Sequence, residues 1–284
     1  MAEWKLPDGF AAQSQARLTA MFDARFKQQQ ALRAEQQLQK NFTFGFLRSL
    51  AKNDKDLTSD SQKIAAAARQ KSTDLANAAR ANIEQSKVEH PPRVDITVAP
   101  PFNFQWTWNA ETGDGTVNVG ATASNGNISV HVDSGQDSSA AADGKVAVGT
   151  YFHPTVANQR LDILSTPSFN YEWVAVGTFA SSHSAAFIGL YVGEYTLQGE
   201  FVQAVVDQTI SLWDSTGGGD QGSSSGYPLS ASILVDSNHF YEIWVWAGSD
   251  AEGDGWTNDI FFTWGSYAAS YLNIHVPSIS LYPD

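Results

Sequence analysis

From residue 94 onward the chain alternates between apolar and polar positions, most cleanly where Ile128, Val130 and Val132 are interleaved with Ser129, His131 and Asp133, and where Val117 and Val119 flank Asn118. A period of two puts one set of side chains on a core face and the other outward, so each run predicts a strand. Further strands are expected at 94–99, 104–108, 145–153, 169–179, 186–197, 201–213, 229–235, 240–247 and 271–281, nearly all separated by turn-forming residues. About ten strands with no helical segment among them predict an antiparallel two-sheet sandwich, with jelly-roll connectivity expected for a body of this length. Two runs, Tyr241-Glu-Ile-Trp-Val-Trp246 and Phe187-Ile-Gly-Leu-Tyr-Val192, are apolar on both faces. Their second face must be covered by loops or buried between copies of the chain, where Trp and Tyr are enriched.

The pattern before residue 94 is different. Residues 12–40 are good helix formers without Pro or Gly, and Leu18, Met21, Phe22 and Phe26 fall near one face at helical spacing. The alternating Phe42, Phe44 and Phe46 around Gly45 predict a bend or a short extended piece there. A second helix is expected over 59–89, starting at Ser59 with Gln62 as capping-box partner and stopping before Pro91-Pro92. Its stripe is Ile64, Ala68, Leu75, Ala79 and Ile83, with pairs repeating at 11 residues, a period that gives nearly straight or slightly right-handed bundles. Such small side chains bury too little area to hold a lone helix, so the stripe calls for a partner. Two partners fit: the first helix folded back as a hairpin on the body, or neighbouring copies in a homo-oligomeric stalk, a trimer by architectural analogy. The organisation expected is α+β in two modules: a helical arm (1–90), a Pro-rich linker (91–93) and a β-sandwich (94–284) able to fold without the arm.

Charge sharpens this division. Residues 1–93 hold 15 of the 17 Lys and Arg and carry +5, whereas residues 94–284 have only Lys145 and Arg160 against 20 acids and carry −18. Halves so different are expected to meet different partners. An arm of +5 is a weak phosphate-binding footprint and the acidic body would repel a polyanion, so nucleic acid is not an expected partner. If the head of one copy meets the arm of another, filaments form that dissolve as salt increases. A basic helix with interspersed Phe also admits a membrane-surface reading, with Phe42, Phe44, Phe46, Leu47 and Leu50 inserting, as in a pore-forming toxin. There is no Cys, no signal-peptide pattern and no apolar run of spanning length, so compartment is open and an extracellular or virion setting fits.

Candidate chemistry is sparse. Asp250, Glu252, Asp254 and Asn258 alternate around Gly253 and Gly255 like the start of a calcium loop, although Phe261 stands where the bidentate acid belongs. Calcium is the one cofactor the sequence suggests, and an acidic solvated hairpin is the alternative. The run 217–226 contains both G-x-G-x-x-G and G-x-S-x-G but lacks the strand-turn-helix setting either motif needs, and is expected to be a flexible loop. Glu172 and Glu242 are the carboxylates to nominate for glycoside hydrolysis, and the histidines show no metal-ligand spacing. Trp106, Trp108, Trp213, Trp256 and Trp264 lie near expected strand ends or loops and offer flat faces to sugar rings or partner side chains. The functional expectation is a non-enzymatic interaction protein whose arm assembles or docks and whose head recognises a glycan or protein receptor. A membrane-active protein and a carbohydrate-active enzyme are the alternatives.

Overall fold

The computed structural model describes residues 4–51, 96–135, 140–178, 182–253, 255–258 and 263–284, with backbone only for 32–51, 178, 255–258 and 263–265. Among these described residues one helix, α1 (Phe10–Ala51), precedes fifteen strands. These are β1 (Ile96–Val98), β2 (Phe104–Thr112), β3 (Thr116–Thr122), β4 (Asn127–Asp133), β5 (Ala140–Phe152), β6 (Gln159–Ser165), β7 (Ser168–Thr178) and β8 (His183–Thr196). The remainder are β9 (Phe201–Ser215), β10 (Gly218–Ser224), β11 (Leu229–Val235), β12 (His239–Gly253), β13 (Gly255–Asn258), β14 (Thr263–His275) and β15 (Ile279–Pro283). They form three antiparallel sheets, ordered β2-β5-β12-β8-β9, β10-β7-β14-β4-β3 with β13 on β14, and β1-β15-β6-β11.

The five- and six-stranded sheets share a core. Val146, Val148, Ile188, Leu190, Ile243 and Val245 of the first face Ile128, Val130, Trp173 and Leu272 of the second, and Leu161, Ile163, Leu229, Ile279 and Leu281 of the four-stranded sheet extend the same cluster. The β3–β4 turn ends at Gly126, whose φ is +73° and whose missing Cβ would lie 2.2 Å from the Val276 carbonyl oxygen. Only glycine tolerates both conditions.

Several expectations change here. The helix does not break at 41–46 but runs unbroken to Ala51. One Gly costs a helix interior about 1 kcal/mol, too little to stop a long one. Residues 217–226, expected as a flexible loop, contain β10, an edge strand whose backbone pairs with β7 from Gly218 opposite Ala175 to Ser224 opposite Phe169. An edge strand needs main-chain hydrogen bonds more than side chains, so Gly and Ser suffice. The run 271–281 is two strands in two sheets, divided at Val276-Pro277-Ser278. The second helix, its stripe Ile64, Ala68, Leu75, Ala79 and Ile83, and the linker 91–93 lie outside the described residues.

The outer face of the five-stranded sheet is where α1 sits. Phe10, Ser14, Leu18 and Phe22 are buried at four-residue intervals, the spacing of one helical stripe. They pack on Phe104, Trp106, Trp108, Tyr191, Tyr195, Phe240, Trp244 and Trp246. This explains why β8 and β12 are apolar on both faces: one side meets the sandwich core and the other meets α1. Several polar atoms within the contact are matched. Trp106 Nε1 donates to Thr19 Oγ1 at 3.2 Å, Trp108 Nε1 to Asp23 Oδ1 at 2.8 Å, and the Arg17 guanidinium to the Tyr191 and Tyr195 hydroxyls at 2.8 and 3.1 Å.

Glu242 is fully buried beneath this helix, accepting a hydrogen bond from Tyr195 Oη at 3.0 Å. Burial pushes its carboxyl above the ordinary carboxylate range, and the nearby Ser14, Trp244, Tyr195 and Arg17 pull it back only in part. A raised folded-state value means that this group contributes stability at low pH, which is lost as pH rises through the folded value. Glu242→Gln should therefore gain on the wild type as pH rises above the ordinary carboxylate range of about 4, as read by urea denaturation. A difference independent of pH would show that burial does not perturb this carboxyl.

Candidate functional site

The six-stranded sheet turns its other face outward, and the register aligns its polar residues in rows. One row reads Gly120, Ser129, Asn273, Asn170 and Ser223 across β3, β4, β14, β7 and β10. The row beside it reads Thr122, Asn127, His275 and Ser168, and the row on the other side reads Asn118, His131, Tyr271, Glu172 and Gln221. The apolar residues between them, Ile128, Phe169, Leu272 and Ile274, point into the core. Each strand's alternation therefore dictates a floor of hydroxyl and amide groups.

This face is concave. A groove of about 650 Å³ runs over Ser129, Asn170 and Asn273, with Gly120 and Thr122 at one edge and Ser223 to Ser225 at the other. His275 Nδ1 lies 2.9 Å from Asn127 Oδ1 and His131 Nε2 lies 3.4 Å from Asn273 Oδ1, which orients both amides. Tyr271 is 45% exposed, with its ring 4.9 Å from that of His131. Among the groups of the three rows only Glu172 carries a formal charge at neutral pH with histidine neutral. The floor therefore suits a neutral ligand with many hydroxyls better than an ion.

Of the five tryptophans expected to make partner contacts, the three with described side chains are buried. Trp106 and Trp108 are 5% and 4% exposed under α1, and Trp213 is 5% exposed in the main core, donating to Ser184 Oγ at 3.1 Å. All three do packing work, because a sandwich face and a helix seat both need large rings. Trp256 in β13 and Trp264 in β14 have side chains outside the described residues, as do Phe42, Phe44, Phe46, Leu47 and Leu50 of α1. No helix among the described residues is long and apolar enough to cross a membrane. Glu172 and Glu242 cannot act as a pair: one lies on the outer face of the six-stranded sheet, the other beneath α1 on the far side of the five-stranded sheet.

A second cluster lies at one end of the five-stranded sheet. Asp250 and Glu252 share a face of β12 and meet His183 of β8, which stands opposite Glu252. His183 Nδ1 is 3.1 Å from Asp250 Oδ2 and 3.6 Å from Glu252 Oε1, while Nε2 is 2.9 Å from Asp214 Oδ1 of β9. Burial pulls the imidazole pKa down, but hydrogen bonding and charge from Asp250, Glu252 and Asp214 outweigh it and raise the value to about 11. Of the calcium-loop residues, Asp250 and Glu252 converge, whereas Asp254 and the Asn258 side chain lie outside the described residues. His183 escaped the sequence reading because its partners are more than 30 positions away. The outer-face polar rows escaped because cross-strand register is not written in any single strand.

Compared with known families and with curated proteins, the sequence matches none. Among solved structures, the isomalto-dextranase of Arthrobacter globiformis T6 complexed with panose is similar at 12% identity and a TM-score of 0.20, over 65% of this chain and 24% of that one. The tandem CBM22 domains of Paenibacillus barcinonensis Xyn10C are similar at 12% identity and a TM-score of 0.20, over 59% of this chain and 40% of theirs. The chain thus spans well under half the length of these two structures. A CBM4 structure is similar at 11% identity and a TM-score of 0.23, over 65% of this chain and 89% of that one. Likenesses this slight place carbohydrate-binding modules among the structural neighbours and carry no argument beyond that.

Proposed function

We propose that the protein is a non-enzymatic glycan-binding β-sandwich that holds a neutral oligosaccharide in the groove on the outer face of the six-stranded sheet. The observation that carries this reading is the row Ser129, Asn273 and Asn170 across the groove floor, flanked by Tyr271. Amides and hydroxyls both donate and accept, as sugar hydroxyls do, and the exposed tyrosine ring offers an apolar face to the C–H side of a pyranose. The scarcity of charge within the groove disfavours anionic polymers and basic peptides alike. The separation of Glu172 from Glu242 removes the nominated acid pair and supports binding without hydrolysis.

The test is an array of neutral oligosaccharides followed by calorimetry on the hits. Asn273→Ala should weaken binding by about tenfold or more, the equivalent of one to two net hydrogen bonds, and Tyr271→Ala should do the same, while neither alters thermal stability by more than a surface substitution does. Binding that survives both substitutions, or an array without a neutral-glycan hit, would remove the groove from consideration.

A further inference from the structure

We propose that His183, Asp250 and Glu252 form a site for a divalent transition-metal ion, with Asp214 positioning the imidazole from behind. Three adjacent strands, β9, β8 and β12, deliver these groups to one face of one sheet, so the ladder hydrogen bonds fix their spacing without any loop. The ring nitrogen and the two carboxylates present ligand atoms within 4.8 Å of one another. A tetrahedral ion at about 2.0–2.2 Å from each ligand would hold those atoms roughly 3.3–3.6 Å apart. The 3.6 Å separation from Nδ1 to Glu252 falls within that span, and the 3.1 Å separation to Asp250 needs to widen by only a few tenths of an ångström.

The contact on the far ring nitrogen is a further observation. A carboxylate only accepts, so Asp214 Oδ1 at 2.9 Å fixes the proton on Nε2. A second-shell carboxylate on the far nitrogen is the usual companion of a metal-bound histidine. Nδ1, the nitrogen facing Asp250 and Glu252, is buried and makes no well-aligned hydrogen bond among the described residues. The space between this nitrogen and the two acids takes a cation, either the imidazolium proton or a metal ion that displaces it. The nearby Lys145 does not supply it, because it pairs with Asp143.

Ligand chemistry selects the ion. Calcium and magnesium take all-oxygen shells, whereas imidazole with carboxylates suits zinc, manganese or cobalt. The cluster is also partly open, with His183 27% and Glu252 31% exposed, which leaves coordination positions for water. This site is separate from the glycan groove, which lies on the other sheet, so either reading can fail without the other.

The experiment uses the full chain stripped with chelator, titrated with ZnCl2 and separately with CaCl2, with cobalt absorption as the readout of mixed nitrogen and oxygen ligation. One equivalent of zinc, a rise in melting temperature and no response to calcium are expected. His183→Ala should abolish the zinc response, and Asp214→Asn should weaken it by about 10–100-fold. If His183→Ala does not fold, Glu252→Gln at its partly exposed position takes its place and should likewise weaken zinc binding. A wild type that takes up no zinc, a calcium response equal to that of zinc, or zinc uptake unchanged by these substitutions would overturn the proposal.

Discussion

Phe22→Ala should destabilise the protein by about 3–5 kcal/mol, a core-sized loss for a residue in a segment whose charge and composition mark it as an arm. Phe22 is 8% exposed, with ring centroids 5.3 Å from Trp106, 5.7 Å from Trp108 and 6.3 Å from Trp246. The seat cannot collapse around the cavity, since the three indoles are fixed by β-ladders and two donate to the helix. Gly189 tightens it further: a Cβ there would lie 2.0 Å from the Gln208 carbonyl oxygen and 2.4 Å from Trp246 Nε1. Chemical denaturation measures the loss, with Leu234→Ala, at a 75% exposed position, as a control expected within about 0.5 kcal/mol of wild type. The same packing predicts that residues 96–284 alone expose an aromatic sheet face, bind a hydrophobic dye and self-associate. A monomeric, dye-silent body with undiminished stability would show that α1 is dispensable.

Lys145→Met should cost about 3–5 kcal/mol, because it leaves the buried Asp143 carboxylate without its cation. The two side chains are 9% and 7% exposed and lie two residues apart on the α1-facing side of β5. Gly248 on the neighbouring strand makes room for the lysine: a Cβ there would fall 2.2 Å from Lys145 Cδ. The double replacement Lys145→Met with Asp143→Leu should recover most of the loss, since an apolar pair of similar volume avoids the desolvation of both charges. If the single and double variants are equally unstable, packing of the lysine stem rather than the ion pair is what matters here.

Much of the β body is legible from its residues. The alternation in 127–133 fixes which side chains of β4 enter the core and which form the groove floor, because a strand's period of two leaves no third choice. The same holds where Asn273 and His275 alternate with Leu272 and Ile274. The strands missed were those with weak patterns. Gln159–Ser165 mixes charge into its alternation, and Gly218–Ser224 has no apolar side chain at all, being held by its backbone alone.

What sequence by itself determined is the class of each segment: a basic helix lined by Leu18, Phe22 and Phe26, an antiparallel acidic body, and two strands whose second face needed a cover. Local periodicity encodes these because helix and strand repeat within a few residues. Tertiary structure decided which cover was used, and it is the helix, so Trp106 and Trp108 became its seat rather than an exposed surface. It also decided that Ser129, Asn170 and Asn273 align across a groove and that His183 meets Asp214, Asp250 and Glu252. Such meetings depend on strand order and register, which are set by the lowest-energy packing of the whole chain and leave no mark on any short stretch of it.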